Sequence, residues 1–280
     1  MEPVRHLTPA FGRALSTAWR GLSFGNGSND TTILLIVEVQ GEIECDSLRW
    51  SAMCGRFTLT RRKLEELAAS LDAEVLPDDA ALYRPRYNIA PTDQHWILRT
   101  KREQRQLLPA KWGLVNSWQT DAKGAFKQIN ARSESAPSRP AFRDAYVHRR
   151  CAVPADGFFE WTGAKDARRP IWFHAPHDDL LLFAGLYESW RDPKTDAWQR
   201  TFTILTTEAN EIVAPVHDRM PVILPPERID EWLYVPAREP EQESYAKILR
   251  GVLAPAAADV LVATEVSQRV NSVKNDDPAC

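Results

Sequence analysis

Between Trp96 and Ala209 the hydrophobic residues of the chain are grouped in strand-like runs. Polar loops such as TGAKDARR and RDPKTDAW separate these runs, and such loops are typical of hairpin connections. The strand-like runs are HWILRT, LLPAKWGLV, RRCAVPADGFFEW, PIWFHAP, LLLFAGLYESW and RTFTILTTEA. The pattern predicts a mostly antiparallel β core.

Helical spacing is found on both sides of these strands. Thr60 is placed to cap a helix whose apolar face is formed by Leu64, Leu67, Ala68 and Leu71. Towards the C-terminus, PERIDEWLY, with Pro226 near its start, and SYAKILRGVL predict two more helices, and DVLVATEV predicts a late strand. The expected fold is α+β: a β core with helices at its periphery.

The first 52 residues have a different texture. They contain a Gly/Ser/Asn cluster, GLSFGNGSND at 21–30, followed by one isolated strand-like run without a partner pattern. This segment lacks the material for a hydrophobic core. We therefore expect an N-terminal extension at 1–52, disordered or the product of a mis-assigned start, and one domain at 53–280.

Composition narrows the class of protein only modestly. The 280 residues are 44% hydrophobic and carry a formal net charge of −3, which is typical of a globular protein without a global attraction to nucleic acid. A local basic groove remains compatible with that charge. The longest apolar run, at 31–37, is far shorter than the roughly 20 residues that span a bilayer. We predict no membrane or targeting segment.

The four cysteines stand at positions 45, 54, 151 and 280. They show neither CxxC nor Cys/His spacing, so the sequence suggests no zinc site, no other metal site and no disulfide framework. A reducing, cytoplasmic setting fits best.

Cys54 has two readings. An ordinary cysteine is a small buried hydrophobic residue. Cys54, however, directly follows Met53, and removal of an initiator methionine there would leave an N-terminal cysteine with a free α-amine beside its thiol. Because an α-amine has a pKa of ~7.7–8.0, roughly a third of it is neutral and nucleophilic near pH 7.5. Such an aminothiol can condense with an aldehyde to an imine and close a five-membered thiazolidine.

Three further segments carry candidate chemistry. Glu160 stands among aromatic residues in ADGFFEW and is either a solvated strand residue or a proton shuttle whose pKa is raised by apolar walls. His217, in the proline-flanked PVHDRMPVIL, is either structural or an acid–base group. Asn130 and Arg132 alternate in INARSE, so an extended backbone would direct both to one side, unless the segment is a solvated turn.

Basic residues are interleaved with aromatic ones near the same segments. Most such charges are solvated faces, but a convergent set would form a groove for single-stranded nucleic acid. The set comprises Arg56, Arg61, Arg62, Lys63, Arg84, Arg86, Lys111 and Arg132, with Tyr87, Trp112 and Trp118.

The ordered set of motifs resembles the SOS response-associated peptidase family, also called abasic site processing proteins. It comprises MCGRF (53–57), RYNIAPT (86–92), KWGLVNSW (111–118), INARSE (129–134), ADGFFEW (155–161), PVHDRMPVIL (215–224) and VNSVKNDDP (270–278). The resemblance covers 53–280 and implies a single α+β domain with a pseudo-barrel β core. It also implies a covalent crosslink to abasic sites in single-stranded DNA, which protects those sites during the DNA damage response.

Matching of the motifs assigns roles to individual residues. The resemblance implies that Cys54 forms the crosslink and that Asn130, Glu160 and His217 are its catalytic partners. DNA contacts are implied for Arg56, Arg132, Asn88, Trp112 and Trp118. It further implies autopeptidase and lyase-type Schiff-base activity in a monomer that needs no cofactor.

The sequence departs from the family pattern in two places. Asn116 stands where the family commonly has proline, which we expect to loosen the loop that carries Trp118. The family cysteine is at position two, whereas Cys54 follows an extension that is either a mis-assigned start or a propeptide.

Two other functions are open on the sequence alone. A cysteine peptidase would pair Cys54 with His217 as nucleophile and base and would tolerate a blocked amine. A non-enzymatic module would bind single-stranded DNA through its arginine and tryptophan surface.

Overall fold

The computed structural model describes residues 55–164, 167–236, 245 and 248–280. The described residues belong to one compact unit that spans 49–280. The predicted extension at 1–52 and Cys54 lie outside the described residues.

The elements that lie wholly within the described residues include thirteen strands and four short α-helices, with 3₁₀ turns between them. The strands are β1 (Phe57–Leu59), β2 (Glu74–Val75), β3 (Arg86–Ile89), β4 (Gln94–Lys101), β5 (Gln104–Trp112), β6 (Asn130–Arg132), β7 (Arg150–Ala155), β8 (Gly157–Thr162), β9 (Arg169–His174), β10 (Leu181–Arg191), β11 (Trp198–Glu208), β12 (Arg219–Pro221) and β13 (Val262–Glu265). The helices are α1 (Leu64–Ser70), α2 (Pro77–Ala80), α3 (Arg143–His148) and α4 (Ile229–Leu233).

Five strands of the larger sheet close into a barrel. Antiparallel pairing runs in the order β11, β10, β7, β4 and β5, and a parallel pairing of β5 with β11 completes the ring. Thr201 lies opposite Lys111 and Phe202 opposite Trp112 at this closure. The predicted α+β fold with a mostly antiparallel pseudo-barrel core is confirmed.

The second sheet has five strands in the order β13, β9, β8, β1 and β3. It shares one hydrophobic core with the barrel, because the Phe57 ring of β1 and the Phe158 ring of β8 both pack edge-on against Phe183 of β10. The ring centroids are 6.2 and 6.0 Å apart. These aromatic contacts fix the position of the second sheet relative to the barrel.

The predicted helices need one correction. Helix α1 buries Leu64, Leu67 and Ala68 as expected, but it begins after Lys63, which makes no side-chain capping bond. Thr60 is not the cap, because it lies three residues before the N-cap position at Lys63; its backbone N–H donates to the Asp156 carboxylate.

The predictions near the C-terminus have mixed outcomes. The predicted helix at PERIDEWLY is a 3₁₀ turn, Pro226–Arg228, followed by α4, and the predicted late strand is β13. SYAKILRGVL is helical at 245 and 248–252, and three of its residues, 244, 246 and 247, lie outside the described residues.

Candidate functional site

Pairing of β1 with β8 brings the segment just after Cys54 alongside Glu160. Phe57 lies opposite Phe158, and the Phe159 N–H donates to the Arg56 carbonyl at 2.9 Å, so the pairing extends one residue before β1. Glu160 is only 3% exposed. The interpretation of this residue as a solvated position on a strand is therefore wrong. A carboxyl group thus lies on the strand that borders the start of the domain.

Arg56 is held in place by polar and aromatic contacts. Its Nη1 donates to Asn88 Oδ1 at 2.8 Å and to the Val270 carbonyl at 2.9 Å. Its guanidinium also lies over the Trp161 ring, 5.7 Å from the centroid. Burial lowers the pKa of Arg56, opposed by the Asp93 carboxylate. A fixed cation therefore lies beside the residue that follows Glu160.

Asn88 is fully buried, and its side chain faces the C-terminal segment. Its Nδ2 donates to the carbonyls of Val270, Ser272 and Asn275 at 3.1, 3.0 and 2.7 Å. With these bonds in place the amide cannot also reach a nucleic acid. In this structure Asn88 binds Arg56 and the C-terminal segment, and its implied DNA contact stays a prediction.

Asn130 and Arg132 are the first and last residues of β6, a strand that runs parallel to β11. Asn130 lies opposite Ile204 and Arg132 opposite Thr206. The backbone is extended, so the two side chains share one side, as the alternation predicts, and Arg132 is exposed.

Trp112 connects β1 to β6 from inside the core. Its Nε1 donates to the Ile129 carbonyl at 2.8 Å, one residue before Asn130, and its ring packs edge-on against Phe57 with centroids 5.0 Å apart. The side chain is fully buried. A base could not stack on the ring in this conformation of the core, so burial favours a structural role, and the implied DNA contact of Trp112 stays a prediction.

His217 lies in the turn before β12, and its ring is oriented by the backbone. The Arg219 N–H donates to His217 Nδ1 at 3.0 Å. A neutral imidazole that accepts at Nδ1 carries its proton on Nε2 and so presents a donor there. Asp218 Oδ1 lies 3.1 Å from Nδ1, but this carboxylate is 84% exposed.

Arg219 joins the His217 turn to the β6 segment. Its Nη1 and Nη2 form a bidentate ion pair with Glu134, at 2.6 and 2.8 Å. Nη2 also donates to the Thr206 carbonyl at 2.6 Å, which lies opposite Arg132 across the β6–β11 pairing. The structure thus gathers two of the candidate segments, INARSE and PVHDRMPVIL, around the end of β11.

Trp118 is 67% exposed, in the loop that follows β5. The loop turns at Gly113, where φ is +123° and an added Cβ would lie 2.7 Å from the Ala125 carbonyl. Asn116 is buried; its N–H donates to Gln119 Oε1 at 2.7 Å and its Nδ2 to Gln128 Oε1 at 3.2 Å. The expectation that Asn116 loosens this loop is wrong, because its amide anchors the loop.

Several of the interleaved basic residues are paired with carboxylates. Their ion pairs are Arg61–Asp156 at 3.5 Å, Lys63–Glu66 at 2.7 Å, Arg84–Asp276 at 3.1 Å and Arg86–Asp93 at 2.5 Å. Four of the eight predicted groove cations are therefore partly neutralised, which favours the alternative reading of solvated or structural charges for them.

The profile of the SOS response associated peptidase (SRAP) family matches residues 53–273. The chain belongs to this family. The match begins at Met53, directly before Cys54, and ends within the C-terminal segment that Asn88 binds.

Relatives of this SRAP chain carry the name abasic site processing protein. YoqW of Bacillus subtilis (strain 168) is 37% identical over 227 residues, which cover 81% of this chain and 97% of YoqW. HMCES of Gallus gallus is 32% identical over 71% of this chain and 66% of HMCES, and YedK of Escherichia coli (strain K12) is 31% identical over 65% and 79% of the two chains.

Solved structures show the same SRAP fold. A protein from Bacteroides thetaiotaomicron superposes with a TM-score of 0.68 at 24% identity, over 81% of this chain and 97% of that one. Another, from Bordetella bronchiseptica, has a TM-score of 0.61 at 25% identity, over 76% and 100% of the two chains.

Two residues of this SRAP site were missed in the sequence. Trp161 directly follows Glu160, and Arg219 is two residues after His217. Each lies next to or near a candidate residue in the sequence, which was the only indication of a role. Their contacts, Trp161 with Arg56 and Arg219 with Glu134, join parts of the chain that are distant in sequence.

The described segments contain no group of three or more His, Cys, Asp or Glu residues arranged to hold a metal ion. Among the same segments, no helix has the length and apolar character required to cross a bilayer.

Proposed function

We propose that this chain captures abasic sites in single-stranded DNA as a covalent thiazolidine adduct of Cys54. The names of its relatives support abasic-site processing as the function. The structural observation that carries the proposal is the β1–β8 pairing, which sets the segment after Cys54 against the strand of buried Glu160. Cys54 is two residues before Arg56, so its backbone is within about 7 Å of that fixed arginine.

The proposed chemistry has two steps. The α-amine of Cys54 adds to the aldehyde carbon of the ring-opened sugar, and loss of water gives an imine. The Cys54 thiol then adds to the imine carbon as its proton passes to the nitrogen, which closes the five-membered ring. No bond to the DNA backbone is broken, and no oxidant or reductant is required.

Three residues support these steps in the proposal. Asn130, on β6, orients the α-amine through its amide. Glu160 transfers protons as the carbinolamine loses water, and its buried position protects that transfer from bulk solvent. His217 donates from Nε2 to the sugar as the ring opens, in the tautomer that the Arg219 N–H favours.

The active species in this proposal begins at Cys54. Within a peptide bond the Cys54 nitrogen has no nucleophilic lone pair, so residues 1–53 must be absent. Either translation begins at Met53 and that methionine is removed, or the extension is cleaved. The start of the SRAP match at Met53 supports a domain that begins there.

Arg132 and Trp118 are the proposed DNA contacts that remain accessible, because both are exposed. Arg132 supplies a cation for a phosphate, and Trp118 supplies a ring on which a base can stack. Arg56 is a weaker candidate for a phosphate contact, because its guanidinium already donates to Asn88 and to the Val270 carbonyl.

A cysteine peptidase is the competing proposal, and the orientation of His217 weighs against it. A base for the Cys54 thiol requires an unprotonated ring nitrogen that faces the thiol. In the neutral tautomer that accepts the Arg219 N–H at Nδ1, Nε2 carries the proton and cannot act as that base. Autoproteolytic release of Cys54 would need another tautomer.

Denaturing electrophoresis of the protein with single-stranded DNA tests the proposal. A chain that begins at Cys54 should form a denaturation-resistant adduct with an oligonucleotide that contains one abasic site. The same oligonucleotide with an intact base is the control and should give none. Binding that disappears on denaturation with both oligonucleotides would leave only the non-covalent binding module.

A further inference from the structure

An ion pair between a buried carboxylate and a partly exposed arginine contacts the loop that carries Trp118. Glu188 of β10 is 3% exposed, and its carboxylate pairs with the Arg149 guanidinium, which also pairs with Asp144. The other Glu188 oxygen, Oε2, accepts the Ser117 N–H at 3.1 Å. One carboxylate thus connects the residue before Trp118 to the barrel wall.

Neighbouring contacts fix the other side of Trp118. The Gln119 N–H donates to the Asn116 carbonyl at 2.9 Å, and the Gln119 carbonyl accepts Trp190 Nε1 at 2.8 Å. The exposed indole therefore stands between two residues whose backbones are bonded to β10, the strand that contains both Glu188 and Trp190.

Stability alone does not account for this ion pair. A buried pair of charges is often no more stabilising than apolar residues of the same volume, because both ions lose hydration. Burial raises the pKa of Glu188, and the Arg149 guanidinium opposes that shift. Burial of this carboxylate is unfavourable because it loses hydration. One of its oxygens accepts the Ser117 N–H, so its clearest effect is to fix the position of the loop.

We propose that Glu188 is a positioning residue for Trp118, and that the Arg149–Glu188 pair holds the loop so that the indole is presented as a rigid stacking platform for a base of single-stranded DNA. This inference rests on the proposed function, in which Trp118 contacts DNA. A platform fixed before binding loses less conformational freedom when a base stacks on it, so more of the stacking energy appears as affinity.

A double-mutant cycle tests the coupling. The affinity for single-stranded DNA without an abasic site is measured by fluorescence anisotropy for the wild-type chain and for Glu188→Ala, Trp118→Ala and the double variant. Trp118→Ala should weaken binding about 10-fold, and Glu188→Ala about 5-fold. The double variant should bind no more weakly than Trp118→Ala.

Two further variants control for charge and folding. Glu231→Ala also leaves an arginine, Arg228, without its partner and should not change affinity, because that pair is in α4 and the preceding turn. Glu188→Gln keeps an acceptor for the Ser117 N–H and should restore part of the affinity; it replaces Glu188→Ala in the cycle if that variant fails to fold in a thermal melt.

Three results would overturn the inference. They are an unchanged affinity for a folded Glu188→Ala, an equal loss of affinity from Glu188→Ala with and without Trp118, and an unchanged affinity for Trp118→Ala. The cycle uses DNA without an abasic site, so it does not depend on crosslinking. A chain that binds this DNA but forms no adduct with abasic DNA would refute the crosslinking function and leave the cycle intact. A chain that binds no single-stranded DNA refutes both.

Discussion

Arg56 Nη1 donates a hydrogen bond of 2.8 Å to the side-chain oxygen of Asn88. The same Asn88 amide donates to three carbonyls of the C-terminal segment, so one buried side chain joins the start of the domain to its end. The arrangement gives Asn88 a structural role, whereas the family resemblance implied a nucleic-acid contact.

Asn88→Ala should therefore lower stability. The substitution leaves buried carbonyls and the Arg56 guanidinium short of partners, which costs about 3 kcal/mol. The melting temperature should fall by roughly 6–12 °C for a domain of this size. Gln106→Ala, which removes a contact with Arg99 near the barrel surface, is the matched control and should shift it far less. Equal melting temperatures for the two variants would contradict the role given to Asn88.

Cys54→Ser should abolish the stable adduct while the affinity for single-stranded DNA stays the same. A hydroxyl closes the ring poorly compared with a thiol, so the imine is left exposed to hydrolysis. The measurement is denaturing electrophoresis with and without a borohydride trap, alongside anisotropy with unmodified DNA. A Cys54→Ser variant whose adduct is as durable as the parent's would rule out the thiazolidine.

Glu160→Gln and His217→Ala should each slow adduct formation about 100-fold, because each removes a positioned proton-transfer group. Single-turnover rates on abasic DNA give the measurement. Glu103→Gln and His148→Ala change exposed residues of the same types and should react at the parental rate. Parental rates in both site variants, with melting temperatures unchanged, would remove Glu160 and His217 from the mechanism.

Arg132→Ala should reduce the salt dependence of DNA binding. Loss of one phosphate contact flattens the plot of log affinity against log salt by about 0.7 for a single strand. The control is Arg102→Asn in the β4–β5 turn, where asparagine tolerates the φ of +51°. That turn is at the far end of β5 from Trp112. The same slope for both variants would show that Arg132 does not contact a phosphate of the bound DNA.

A chain expressed from Met53 should be fully active, and the intact 280-residue chain should form no adduct. The cysteine that follows Met53 is small, so methionine removal exposes its amine, whereas the long chain keeps it in an amide. Intact-mass spectrometry of the crosslinked product identifies the reacting species. A covalent adduct that still contains the first 53 residues would show that the α-amine is not the nucleophile.

Local patterns in the sequence predicted the individual strands better than they predicted which strands pair with one another. Strand-like runs bounded by polar loops were enough to identify the long strands β10 and β11, which are buried at consecutive positions over much of their length. The parallel pairing of β5 with β11 that closes the barrel was not predicted, because it joins strands about 90 residues apart and leaves no mark on either strand alone.

The predicted site residues differ in their exposure to solvent, which the sequence alone did not indicate. Trp112 and Trp118 stand six residues apart in one motif, yet the first is in the core and the second is exposed. A tryptophan suits both environments, and the chain stays buried through Asn116 before it becomes exposed at Ser117. Cys54 stays a prediction, as it lies outside the described residues.

The hydrogen bond from Arg56 to the Val270 carbonyl spans 214 residues of sequence. During synthesis, the first residues of the domain emerge long before Val270 and its neighbours are made. In the proposed function, the amine at the start of the domain therefore acquires its completed surroundings only when the last residues fold back. The order of translation itself would then delay the reaction until the whole domain exists.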